Sequence, residues 1–191
     1  MILPIFTYGH KILREKCSNI EPNYRDLQVL ISDMWATMEN AHGCGLAASQ
    51  IGLPLNLFIV DSASTFDALD SNDRSRFFSA DDKGIQETFI NASIVWKSGE
   101  TWEDDEGCLS IPTLSGRVPR NWSIEIVYYD ERFQLHQRRF HGVTARMIQH
   151  EYDHTRGILY LDHLNPLSRR LMRSSLRRIE KGIIRAPYPM R

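Results

Sequence analysis

The stretch "QHEYDH", Gln149 to His154, constrains this chain more than any other. Its two histidines are four residues apart, and side chains at that spacing share a face only on a helix. The surrounding "VTARMIQHEYDHTRG", 143–157, predicts such a helix, with Thr144 as N-cap and Gly157 as stop. There His150 and His154 present two imidazoles to one metal ion. Glu151 lies about 100° around the helix, close enough to reach a water on that ion without filling a coordination position. A catalytic site of this kind takes three protein ligands and keeps one position open, so the motif is one ligand short.

The rest of the sequence has to supply that ligand. A metzincin would need a third histidine where Tyr160 stands, and the one downstream glutamate, Glu180, lies on a separate basic segment. His136, His141 and His163 have no supporting motif. Cys108 in "EGCLS" is the better candidate: Gly107 beside it allows close backbone approach, and a thiolate is a strong ligand for a soft or borderline metal. A lone cysteine is more often a small buried hydrophobe, the reading that Cys17 and Cys44 keep. A third segment, "GCGLAASQIG" at 43–52, sets Gly43 and Gly45 before a polar Gln50 amid small and apolar neighbours, where its amide needs a partner. From the residues alone, a metallo-hydrolase, a protease with another third ligand and a non-enzymatic metal-stabilised module all remain open.

The remainder of the chain predicts an α+β domain over 1–191, with short antiparallel strands around the metal-binding helix and helices near both ends. Apolar residues at Leu27, Leu30, Ile31, Met34 and Met38 predict a helix over 25–41. Strands are expected at 55–61, 87–91, 93–98 and 123–130, the last forming a hairpin with 133–140. A final helix over 165–182 carries Leu167, Leu171, Ser175, Ile179 and Gly182 on one stripe, widened by Met172 and Leu176. The polar stretch 62–86 reads as a mobile surface insertion, or else a flap over the substrate, and 186–191 as a loose tail. Three cysteines make a poor disulfide framework and suit a reducing cytoplasm. "MILPIF" is broken by Pro4, so no secretory leader is expected, and no apolar run is long enough for a membrane. A net charge of −1 argues for no DNA partner.

"GCGLAASQIG", "EGCLS" and "QHEYDH", in that order, resemble the three signature motifs of bacterial peptide deformylases, and "YGHKILR" resembles the family's opening. The resemblance implies the deformylase fold and hydrolysis of the N-formyl group from the initiator N-formylmethionine of new polypeptides, releasing formate. It implies Cys108, His150 and His154 as ligands of one divalent ion, typically Fe2+, with Zn2+, Ni2+ or Co2+ as possible substitutes. Glu151 would shuttle the proton, and the Leu109 N–H with the Gln50 amide would form an oxyanion hole. Substrate backbone would lie as an added strand along Gly43, Cys44 and Gly45, with the methionine side chain near Val143 and Met147. The sequence departs from the common pattern at Cys44, Ser49, Asp104 and Ser115, the last standing where an arginine is frequent. The basic residues of the final helix raise the ribosome as a partner near the nascent-chain exit, against the plainer reading of a solvated basic face.

Overall fold

The helix expected around the two histidines forms as α4 (Gly142–Thr155) in a computed structural model that describes residues 1–191. Its cap is not Thr144. The extended residue before the first turn is His141, and Thr144 lies inside the helix, buried, its hydroxyl 2.9 Å from that of Ser62. Gly142 opens the helix at φ 53°, donating its N–H to Trp122 O. Gly157 closes it at φ 72°, where a Cβ would stand 2.5 Å from Arg14 O, so glycine is required both for the turn and for the close approach.

Five antiparallel strands form the main sheet in the order β1 (Gly45–Ala47), β2 (Leu57–Asp61), β3 (Gln86–Lys97), β6 (Ser123–Tyr129), β7 (Leu135–His141). The two strands expected at 87–91 and 93–98 are one continuous β3, with a register shift between Ile90 and Ser93. Asn91 sits in that shift at φ 54°, and its side-chain amide exchanges hydrogen bonds with the backbone of Ile20. A bulge that swallows one residue reverses the apparent alternation and makes one strand read as two.

A second sheet pairs β4 (Thr101–Cys108) with β5 (Ile111–Asn121). The sequence pattern predicts no strand there. The residues of β4 that alternate inward are Trp102, Asp104 and Glu106, so the period is present but carried by acids.

Helix α1 (Leu27–Asn40) buries Leu27, Ile31, Met34 and Met38 against Leu46, Leu57 and Ile90, as its spacing predicts. Helix α5 (Pro166–Glu180) departs from its predicted stripe. Its packed residues are Leu176 and Ile179 with Met172 beside them, while Leu167 and Leu171 are 67% and 75% exposed. The stretch 62–86 holds two short helices, α2 (Ala63–Ala68) and α3 (Ser71–Phe77), not a plain loop. Asp70 caps α3 by accepting from the Asn72 and Asp73 N–H groups, and buried Phe78 meets Phe66 edge-on at 5.1 Å. The tail is not loose either: Ile5 donates to Pro189 O at 2.9 Å and Arg191 donates to Ile5 O at 2.9 Å, so the chain ends meet side by side. No helix is long and apolar enough to cross a membrane.

These elements give α4 three working faces. Ala145 and Ile148 pack on the main sheet among Phe58, Phe89 and Tyr128. Arg146, His150 and Asp153 meet the polar partners that the β4–β5 hairpin presents. Glu151 and His154 look toward the 43–52 segment and Cys108.

Candidate metal centre

Cys108, His150 and His154 each offer one ligand atom, and the three atoms lie within 4.8 Å of one another. Cys108 comes from the end of β4, the histidines from successive turns of α4. The Cys108 Sγ is 3.3 Å from His154 Nε2. Burial alone would raise the Cys108 thiol, but the imidazoles of His154 and His150 outweigh it and bring it down to about 5. A thiolate is therefore the natural form of this cysteine, as a metal ligand must be.

Each histidine has a distinct setting. His150 Nδ1 meets Glu106 Oε2 at 2.9 Å, leaving Nε2 directed to the cluster. His154 is buried, and its Nδ1 has no hydrogen-bond partner in the protein. Two imidazole nitrogens and one thiolate converging on one point suit a shared divalent cation, so the donor set fits a metal of borderline softness.

Behind the ligands lies a buried ionic network. Glu106 accepts from Arg120 Nε and Nη2, both at 2.9 Å, and from Arg146 Nη1 at 2.6 Å. Arg120 also pairs with Asp153, which His163 Nε2 meets at 2.8 Å. Burial opposes ionisation of Glu106, yet His150 and Arg120 hold its carboxyl well below the usual carboxylate range. A carboxylate fixed by two arginines through three hydrogen bonds orients His150 through its Nδ1.

Glu151 sits apart from this network. It is 5% exposed, its Oε2 has no partner, and burial pushes its carboxyl up to about 7 against the pull of His150 and His154. Gly45 makes room for it: a Cβ there would stand 2.6 Å from Glu151 Oε1. Gln50 is buried with its Oε1 accepting from the Ala47 N–H at 2.8 Å, which turns its Nε2 toward Ser110 Oγ at 3.2 Å and Cys108 Sγ at 3.5 Å. The Leu109 N–H makes no hydrogen bond within the protein, although its carbonyl accepts from Tyr188 Oη at 2.8 Å.

One cleft of about 730 Å³ gathers the expected residues: Gly43, Cys44, Gly45, Gln50, Cys108, Leu109, Val143, Met147, His150 and Glu151 all line it. His154 lies beneath, reached through Cys108. Cys44 is exposed in the cleft and not the core filler its residue type suggests, whereas Cys17 is half-buried. Asp104 and Ser115 also line the cleft, but no residue of 62–86 does, so the flap reading gains no support.

Sequence reasoning missed the supporting shell. Arg146 had a signal, since it lies one turn before His150 on the same face. Arg120 and His163 had none, because their partners are brought near only by the hairpin. The cleft wall formed by Arg185, Ala186, Pro187 and Tyr188 was equally invisible.

A Cys-His-His donor set beside a buried, unpartnered carboxylate, with the Gln50 amide and the Leu109 N–H at hand, defines a metal-dependent hydrolase. Comparison with known proteins narrows the class. The polypeptide deformylase family model matches residues 2–170. The chain is 44% identical over 191 residues to a peptide deformylase of Christiangramia forsetii, covering 100% of this chain and 96% of that protein. It is 45% identical over 191 residues to that of Flavobacterium psychrophilum, covering 100% and 97%. Among solved structures, the peptide deformylase of Thermus thermophilus is similar at 32% identity and TM-score 0.80, over 95% of this chain and 99% of that one. The chain belongs to the polypeptide deformylase family, whose members are metal-dependent, and it removes the N-formyl group from nascent peptides.

Proposed function

We propose that the reaction is carried by Glu151, Gln50 and Leu109 on formylmethionyl peptides, with Cys108, His150 and His154 holding one divalent ion, Fe2+ in the working enzyme. The observation that carries this reading is the buried Glu151 carboxylate, whose Oε2 has no partner, next to the ligand cluster. A buried carboxylate with a free oxygen can both accept a proton from a neighbouring water and return it. When bound, the ion supplies Lewis acidity, polarising the formyl oxygen and the attacking water. Glu151 takes the proton of that water and returns it to the amine nitrogen as the formyl C–N bond breaks, leaving formate and a free N-terminus.

Charge that grows on the formyl oxygen is met by two donors. Gln50 Nε2 is held in place by the Ala47 N–H on its other end, and the Leu109 N–H has no competing acceptor. Fixed donors that need no reorganisation are the efficient kind. Substrate backbone is proposed to extend the main sheet at β1, an edge strand with no strand on its outer side. Gly43, Cys44 and Gly45 then meet the peptide, and Val143 and Met147 receive the methionine side chain.

The 191 residues are proposed to act as one domain in the cytoplasm. The exposed groove of α5 lined by Arg170, Arg173, Arg177, Arg178 and Lys181 supports docking on the ribosome, where the substrate emerges. Binding that weakens steeply with salt and is lost on neutralising these residues would support docking; salt-independent binding would remove it.

The deciding experiment is formate release from formyl-Met peptides by iron-loaded protein under anaerobic conditions, with Glu151→Gln alongside. The variant is expected to keep its metal and lose about 10²–10⁴-fold in kcat. A variant as active as the parent would remove Glu151 from the mechanism.

A further inference from the structure

The C-terminal segment ends against the cleft, and the established reaction gives it no task. Arg185, Ala186, Pro187 and Tyr188 line the cavity. Two attachments hold them there. Tyr188 Oη donates to Leu109 O at 2.8 Å, and Pro189 and Arg191 are tied to Ile5 by backbone hydrogen bonds of 2.9 Å. Within the segment the Ala186 N–H meets Met190 Sδ at 3.1 Å, a turn that fixes the direction of the chain between the two anchors.

The charges around the cleft are uneven. Arg146, the other arginine that lines it, is committed to Glu106 and to the carbonyls of Val118 and Trp102. Arg185 is exposed, its single hydrogen bond runs from Nε to Gly182 O at 3.3 Å, and no carboxylate of the protein pairs with it. On β4 the lining acids Asp104 and Asp105 have no salt-bridge partner. The cleft therefore has a basic tail wall and an acidic β4 wall. An extended peptide presents successive side chains to opposite sides, so each wall meets a different position beyond the formylated residue.

We propose that the tail is a substrate-binding wall and that Arg185 selects peptides carrying an acidic side chain at the position facing it. The proposal rests on the deformylase reading and deepens it from the first residue to those that follow. An exposed pair of this kind is worth about 0.2–1 kcal/mol, which corresponds to roughly a 1.4- to 5-fold preference.

The test uses iron-loaded full-length protein and two peptide series, formyl-Met-X-Ala and formyl-Met-Ala-X, with X as Asp, Asn or Lys. The readout is the ratio of kcat/KM for Asp over Lys within each series. In one series the parent is expected to favour Asp by a few-fold, Arg185→Ala to lose the preference, and Arg185→Glu to favour Lys. Arg25→Glu makes the same charge change at a fully solvated position outside the cleft and should leave the ratio as in the parent. Raising salt to about half-molar should flatten the ratio through screening. If Arg185→Glu leaves both ratios as they are in the parent, or Arg25→Glu moves them equally, the tail wall is not selective. Failure of the parent to release formate from any formyl-Met peptide would instead overturn the deformylase reading itself.

Discussion

At the scale of the residue, the position of the Glu151 carboxylate depends on the absence of a methyl group. Gly45 faces Glu151 so closely that a Cβ would stand 2.6–2.8 Å from Oε1, Cδ and Cγ. Gly45→Ala must push the carboxylate aside, while the candidate ligand atoms of Cys108, His150 and His154 are not among those its Cβ would meet. The variant is expected to bind metal as the parent does and to lose at least about tenfold in kcat, because misplacing a proton shuttle by a fraction of an ångström is costly. Unchanged kcat at full metal content would mean that Glu151 has slack. The buried ions behind the ligands make a second prediction. Arg120→Met leaves Glu106 with Arg146 and His150, and Asp153 with His163 alone. Breaking a buried pair from one side costs about 3–5 kcal/mol, which a shift in denaturant midpoint at constant slope would register. A loss under about 1 kcal/mol would show that the remaining partners suffice. The residues that converge on the cleft, Cys108, His150, Glu151 and Gln50, were singled out from the sequence because metals and protons require particular residue types at particular spacings. Arg120 and His163 were not, since a buried arginine gains its meaning only from acids that tertiary packing brings to it.

At the scale of the element, legibility followed the apolar period. Helix α1 obeys its stripe because every buried position is apolar or, at Thr37, closes its hydroxyl back onto the Asp33 carbonyl. The β4 strand hid because its inward residues include Asp104 and Glu106, one of them holding His150 and Arg146. A functional strand breaks the rule that reveals ordinary strands. Helix α5 misled differently. It lies with one shoulder on the hairpin, where Gly116 lets Leu164 and Met172 approach, so only Leu176 and Ile179 are covered. Leu167 and Leu171, equally apolar, stand in solvent, Leu171 on the groove side. The two stripes make opposite predictions. Leu176→Ala is expected to cost about 2–5 kcal/mol, as core truncations do, and Leu171→Ala to stay within about 0.5 kcal/mol. Equal losses, read as equal shifts of the unfolding midpoint, would restore the stripe the sequence suggests.

At the scale of the whole molecule, the candidate metal centre stands where three separate cores meet. Cys108 packs with the cluster around Ile111, Val118 and Leu161; Leu109 with that around Met34, Leu46 and Ile90; and Met147 with that around Phe58, Phe89 and Ile148. The buried residues of these clusters, 9, 12 and 11 respectively, include none of Cys108, His150 and His154. An ion at their junction ties together parts that already hold their own shape. Chelation is therefore expected to silence the enzyme while the far-ultraviolet circular dichroism of its helices and sheets persists. The ion should still add stability by mass action, about 4 kcal/mol when free metal exceeds its Kd a thousandfold, so the chelated protein should melt several degrees lower and recover on reloading. A structural site behaves otherwise: its binding free energy is the folding free energy, and removing the metal unfolds the chain. Collapse of the circular dichroism on chelation would thus move Cys108, His150 and His154 from catalysis to scaffolding. A persistent fold with no change in melting would mean that the three residues do not hold the ion at all.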